Sequence, residues 1–214
     1  MITLRYDAVV IDHIPASSPK RTGRAMAWAY ITVHNTGNPR STAANERAYL
    51  TNPANTSTTA YHIVVDASQA IECVPLDEAA YHAGDGRNGA GNSQSIGIEI
   101  CESGDHAANE QAAVELIADL LIRYGWGVDR VQPHQHWSGK YCPRLILPHW
   151  ADFIARIERQ MEVMQMTEVQ EWQLVAIRAV CDRFGLNHAY WLAKAGQPLT
   201  VGELFGVLNK VARQ

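Results

Sequence analysis

The run Tyr30-Ile31-Thr32-Val33-His34 is aromatic or β-branched at every position before its last, and it ends on a histidine. Such a run reads as a buried strand. Asn35-Thr36-Gly37-Asn38-Pro39 then breaks it, which leaves His34 at a strand end, where side chains commonly project into a site. Tyr61–Asp66 and Ile71–Leu76 flank the short polar link 67–70 and read as a β-hairpin. Ser95–Cys101 is a further strand, apolar at 96, 98 and 100, so that Glu99 points to the opposite face from those three. A short strand is expected at Val128–Gln132.

Between and after these strands the apolar period changes from two residues to that of a helix. Thr42–Leu50 suits a short helix. Ala112, Ala113, Leu116, Ile117, Leu120 and Leu121 recur at helical spacing, with Gly125 as a stop, and place a helix at about 109–124. Trp150, Phe153, Ile154, Ile157 and Met161 mark another. The lead-in 1–29 reads as extended, and 84–91 as a glycine-rich loop without the spacing of a phosphate cradle. The last fifty residues change character. Thr167 with Gln170 and Thr200 with Glu203 form two capping boxes, Asn187 is a third cap, and Gly185 is a stop. Three short helices follow from this, and the chain divides into 1–163 and a helical module at 164–214. Tyr190-Trp191 is its expected exposed aromatic contact.

Composition narrows the classes of function. The 214 residues are 47% hydrophobic and 19% charged, ordinary for a packed core, and the net charge of −4 supplies no basic face for nucleic acid. No stretch has the length and apolarity of a membrane span, so no membrane insertion is expected. Asp7 and Asp12 interrupt the region where a signal peptide would be apolar. The chain is therefore expected to be made in the cytoplasm without a signal peptide. The four cysteines are widely spaced, which predicts free thiols rather than a disulfide framework.

The chemistry concentrates in 133–143, Pro-His-Gln-His-Trp-Ser-Gly-Lys-Tyr-Cys-Pro. A catalytic zinc takes three protein ligands from His, Cys and carboxylate and leaves one position open. His134 and Cys142 share this segment, and His34 at its strand end is the best-placed third ligand. By residue type alone, a lone histidine is more often a surface or core residue, and a cysteine is often a small buried hydrophobe.

Five blocks, in order, resemble the type 2 N-acetylmuramoyl-L-alanine amidases: YITVHNT at 30–36, YHIVVD at 61–66, YHAGDG at 81–86, SIGIEIC at 95–101 and HQHWSGKYCP at 134–143. The resemblance covers about residues 12–160 and is strongest to endolysins of phages and prophages of Bacillus-like hosts. It implies an α/β fold, a central mixed β-sheet flanked by helices, to which the small all-helical C-terminal module is added. It implies zinc as cofactor, held by His34, His134 and Cys142. His136 is the rival to His134, and the family's spacing of eight residues before the cysteine selects His134. Glu99 matches a glutamate thought to be the general base, and Lys140 a lysine placed to stabilise an oxyanion.

Tyr61 matches a tyrosine implicated in catalysis in some members, with core packing as the alternative. His82 is implied at the substrate, or else is a buried, hydrogen-bonded histidine. Trp137 either walls the substrate groove or packs its loop. The implied partner is peptidoglycan, cut between N-acetylmuramic acid and L-alanine, with the enzyme acting on the cell wall after release. The alternative is a non-catalytic peptidoglycan-binding protein, a class in which the ligand cysteine is lost. For the tail the expectation is cell-wall targeting, with a homodimer through the C-terminal helices or a stabilising cap as the other readings.

Overall fold

The computed structural model describes residues 4–167, 171–195, 202, 203 and 206. The chain divides into two compact units, Met1–Met161 and Glu162–Gln214.

In the first unit the described strands are β1 (Val10–Ile11), β2 (Tyr30–Asn35), β3 (Ile63–Val65), β4 (Ala70–Glu72), β5 (Ser95–Ile100) and β6 (Val131–Pro133). They form one mixed sheet in the order β1-β4-β3-β5-β2-β6. Only the β3–β4 pair among them is antiparallel. It is the expected hairpin with shorter strands, the second ending at Glu72 rather than Leu76, and with Val65 opposite Ala70. Its turn is held by Asp66, whose carboxylate accepts from the backbone N–H groups of Ser68 and Gln69 at 2.8 and 3.0 Å.

The helices of this unit are α1 (Ala43–Leu50), α2 (Ala90–Ser93), α3 (His106–Tyr124), α4 (His134–Ser138) and α5 (Trp150–Thr167), the last crossing the division between units. Helix α1 starts at Thr42, whose side chain accepts from the Asn45 N–H, and α3 starts at Asp105, which accepts from Ala107 and Ala108. Gly125 ends α3 at φ +66°, a conformation that costs glycine nothing. Leu116, Ile117, Leu120 and Leu121 are fully buried on α3, which packs against β3 and β5. Each such side chain contributes about 1.5–3 kcal/mol on burial.

The α/β expectation is met: a mixed sheet with helices on its faces. Three local readings change. Val128–Arg130 is a 3-10 turn and the strand is only Val131–Pro133. The glycine-rich stretch runs into the short helix α2 at Ala90, and the lead-in contributes the two-residue edge strand β1.

In the second unit α6 (Glu171–Phe184) and α7 (His188–Ala193) pack together. Gly185 at φ +57° closes α6, and Asn187 caps α7 by accepting from the Tyr190 N–H at 2.9 Å. Thr167 is the last residue of α5 rather than a cap. Gln170, Thr200 and most of the third expected helix lie outside the described residues.

Candidate metal centre

Strands β2 and β5 run parallel and in register, Thr32 beside Gly97 and His34 beside Glu99. In-register neighbours share a face, so His34 and Glu99 project together, each one residue from the carboxyl end of its strand. Val64 of β3 sits beside Glu99 on that same face and belongs to the apolar cluster with Leu50 of α1. The alternate residues Ile31, Val33, Ile96, Ile98 and Ile100 are all fully buried on the other face.

The same pairing delivers the second imidazole. Val33 lies beside Pro133 of β6, and the next residue, His134, opens α4. Gly139 closes that single turn at φ +76°, and the Gln135 N–H donates to the Cys142 carbonyl at 2.9 Å. The chain thereby folds back on itself and carries the Cys142 thiol to the two histidines. His34 Nδ1 is 2.9 Å from His134 Nδ1 and 3.9 Å from Cys142 Sγ. All three residues are at most 5% exposed.

Burial sets the protonation of this cluster. Desolvation holds His34 well below the usual histidine range, reinforced by the other imidazoles and the Lys140 charge. Desolvation and Lys140 likewise lower His134, to about 4. The rings are thus neutral, with lone pairs for a metal. Burial pushes the Cys142 thiol up to about 11, partly offset by a hydrogen bond from the Asn35 backbone. Glu99 is pushed up to about 8, first by desolvation and then by the charge of Glu46, while Lys140 acts in the opposite sense. Its Oε1 is 4.0 Å from His34 Nδ1, and its buried Oε2 has no hydrogen-bond partner.

This donor set fits a metal. Tetrahedral zinc with bonds of about 2.0 Å to nitrogen and 2.3 Å to sulfur has N–N and N–S edges of about 3.3 and 3.5 Å. The separations of 2.9 and 3.9 Å lie within a few tenths of an ångström of those edges. Two imidazole nitrogens so close need a proton or a metal cation between them. His34, His134 and Cys142 can therefore hold a metal ion, with Glu99 beside it.

The remaining expected residues have different surroundings. Lys140 is exposed, and its charge reaches the histidines and Glu99. Tyr61 is buried and its hydroxyl donates to the Glu46 carbonyl at 3.0 Å. It lines a cavity of about 180 Å³ together with Thr36, Glu46, Tyr49 and Glu99. His82 is buried at 5% exposure, and its Nδ1 lies 3.0 Å from His34 Nε2. Trp137 is half-buried, donating from Nε1 to Thr32 Oγ1 at 2.8 Å and lying edge-on to Tyr30. His136 is exposed on α4.

Sequence reasoning passed over Asn35 and Glu46. Asn35 steadies the thiol, and its Oδ1 accepts from the Leu145 N–H just beyond Cys142, at 3.0 Å. An amide closing an apolar strand beside a candidate ligand was the available signal. Glu46 had none, because only the fold brings α1 to Glu99.

The comparisons with known proteins agree with this geometry. The family pattern described as N-acetylmuramoyl-L-alanine amidase matches residues 24–145, more than half of the chain. The chain is 48% identical to the N-acetylmuramoyl-L-alanine amidase XlyB of Bacillus subtilis (strain 168) over 143 residues, 64% of this chain and 44% of XlyB. It is 46% identical to CwlA of the same organism over 143 residues, 64% of this chain and 52% of CwlA. The chain thus spans about half the length of these curated relatives. Among solved structures, the catalytic domain of XlyA superposes with a TM-score of 0.67 at 44% identity, covering 70% of this chain and 98% of that domain. PlyL superposes with a TM-score of 0.64 at 36% identity, covering 70% of this chain and 96% of its own. The sheet, its helices and the His34–His134–Cys142 cluster lie on a chain that belongs to the N-acetylmuramoyl-L-alanine amidase family.

Proposed function

We propose that this chain is a zinc-dependent N-acetylmuramoyl-L-alanine amidase that hydrolyses the amide between N-acetylmuramic acid and L-alanine in peptidoglycan. The observation that carries the reading is the convergence of two neutral imidazoles and a thiol beside an unpaired carboxylate. His34, His134 and Cys142 hold the zinc, which supplies Lewis acidity toward the amide carbonyl and the attacking water. Glu99, desolvated beside the cluster, would be held ionised by the bound cation's charge, placed to accept a proton from that water and return it to the leaving amine. The Lys140 ammonium steadies the negative charge that develops on the carbonyl oxygen. Tyr61 lines the neighbouring cavity together with Glu99, its hydroxyl donating to the Glu46 backbone carbonyl.

The biological setting is also a proposal: a phage or prophage endolysin, acting on the cell wall after release. The relatives named above, amidases of Bacillus, support it. In this reading the C-terminal helices bind the wall, with Tyr190, 47% exposed, offered to it; pairing of two chains is the competing role.

The test is digestion of purified peptidoglycan with zinc measured on the same samples. New amino termini at L-alanine without new reducing sugar ends establish the amidase. A protein that binds zinc and wall but releases no amine from any wall tested is instead a recognition protein.

A further inference from the structure

A histidine offers a metal only the ring nitrogen that carries no proton, so something must decide which nitrogen of His34 is bare. Its Nδ1 faces His134 and Cys142, and its Nε2 lies 3.0 Å from His82 Nδ1. On the far side of His82, Nε2 is 3.1 Å from the Ser95 carbonyl oxygen. A carbonyl only accepts, so the His82 proton is on Nε2. The ring of His82 is buried between His34 and that carbonyl, neither of them anionic, and stays neutral. Its Nδ1 is therefore an acceptor, and His34 Nε2 must be the donor.

We infer that His82 is a positioning residue that locks His34 in the Nε2–H tautomer and so keeps the Nδ1 lone pair aimed at the metal. The relay runs from His34 Nε2–H to His82 Nδ1, and from His82 Nε2–H to the Ser95 carbonyl. Two backbone features hold the relay in place. Both N–H groups of His82 and Ala83 donate to Asn92 Oδ1, at 2.8 and 2.7 Å. Position 97 is glycine on the strand face where the ring lies, and a Cβ there would stand 2.8 Å from His82 Cγ and Nδ1. Ligand histidines commonly have their second nitrogen fixed by a carbonyl or carboxylate; here a second histidine stands between ligand and carbonyl. The inference rests on the zinc reading of the site, but the tautomer itself is measurable without metal.

The experiment compares the wild type with His82→Phe, which fills the ring volume without an acceptor, and His82→Gln, which keeps one acceptor and one donor. Long-range ¹H–¹⁵N ring spectra are recorded on metal-free protein, and zinc affinity is measured by competitive titration. Wild-type His34 is expected as Nε2–H. In His82→Phe the proton shifts toward Nδ1, where it can donate to His134, and zinc binding weakens roughly 10- to 100-fold. His82→Gln restores much of both. Wild-type His34 found as Nδ1–H, which needs no variant to fold, overturns the inference. So does a folded His82→Phe with unchanged tautomer and zinc affinity. If the wild type is Nε2–H but takes up no zinc, the tautomer relay stands and the zinc reading fails.

Discussion

His34 and Glu99 stand side by side on adjacent parallel strands, with Nδ1 and Oε1 4.0 Å apart. Register alone fixes this relationship, since residues paired across a parallel ladder share a face. The carboxylate is thus held beside the metal cluster without being needed as a ligand. Glu99→Gln keeps the shape and removes the base. It is expected to retain zinc and the thermal unfolding curve while turnover falls roughly 10²- to 10⁴-fold. Zinc content and amine release from the same preparation check this; lost metal would make Glu99 a ligand.

Lys140 acts from the rim. It is exposed and makes no ligand bond, yet its charge is felt at His34, His134 and Glu99. Lys140→Met is expected to lower kcat on the order of 10²-fold, the size of one lost oxyanion contact, with zinc affinity little changed. Unchanged kcat would make it a surface lysine.

Metal uptake should release protons. The Cys142 thiol, pushed up to about 11, is protonated throughout the neutral range and must lose its proton to bind zinc. Glu99, at about 8, is also mostly protonated at pH 7 in the metal-free protein. Zinc affinity is therefore expected to rise with pH by roughly tenfold per unit between pH 6 and 8, and more steeply where Glu99 joins in. Calorimetry in buffers of different ionisation enthalpy counts the protons. Cys142→Ser should bind zinc too weakly to survive dialysis.

Much of this architecture was legible because it is local. Tyr30–His34 and Ser95–Cys101 announce buried strands by composition, and Gly125 marks the end of α3, whose start at His106 lies three residues before the expected 109. Helix α4 was not legible, since a five-residue turn is shorter than the periodicity that would reveal it. Nor was the two-residue strand β1. The role of Glu46 depends on packing between elements distant in sequence, which no local pattern encodes. The block around His82 implies either a substrate contact or a buried, hydrogen-bonded histidine, and no local pattern separates the two. The buried position of His82 follows from Gly97, where the missing side chain makes room for the ring.

His62 adds a pH dependence to the fold itself. It is fully buried, accepting from the Gly97 N–H at Nδ1 and donating from Nε2 to the Glu78 carbonyl, both at 2.8 Å. Desolvation lowers it to about 4, against 6.5 in the unfolded chain. The unfolded state therefore binds a proton that the folded state refuses. Almost nothing is lost a unit above pH 6.5, and stability drains away as pH falls through 6.5 toward 4. The loss from this one group is about 2 kcal/mol at pH 5. His62→Gln retains a donor and an acceptor but cannot titrate. Urea unfolding of metal-free protein at pH 7.5 and pH 5 should show the wild type losing more stability than the variant by about that amount. Equal losses in the two proteins would mean that His62 is not the group that makes the fold acid-sensitive.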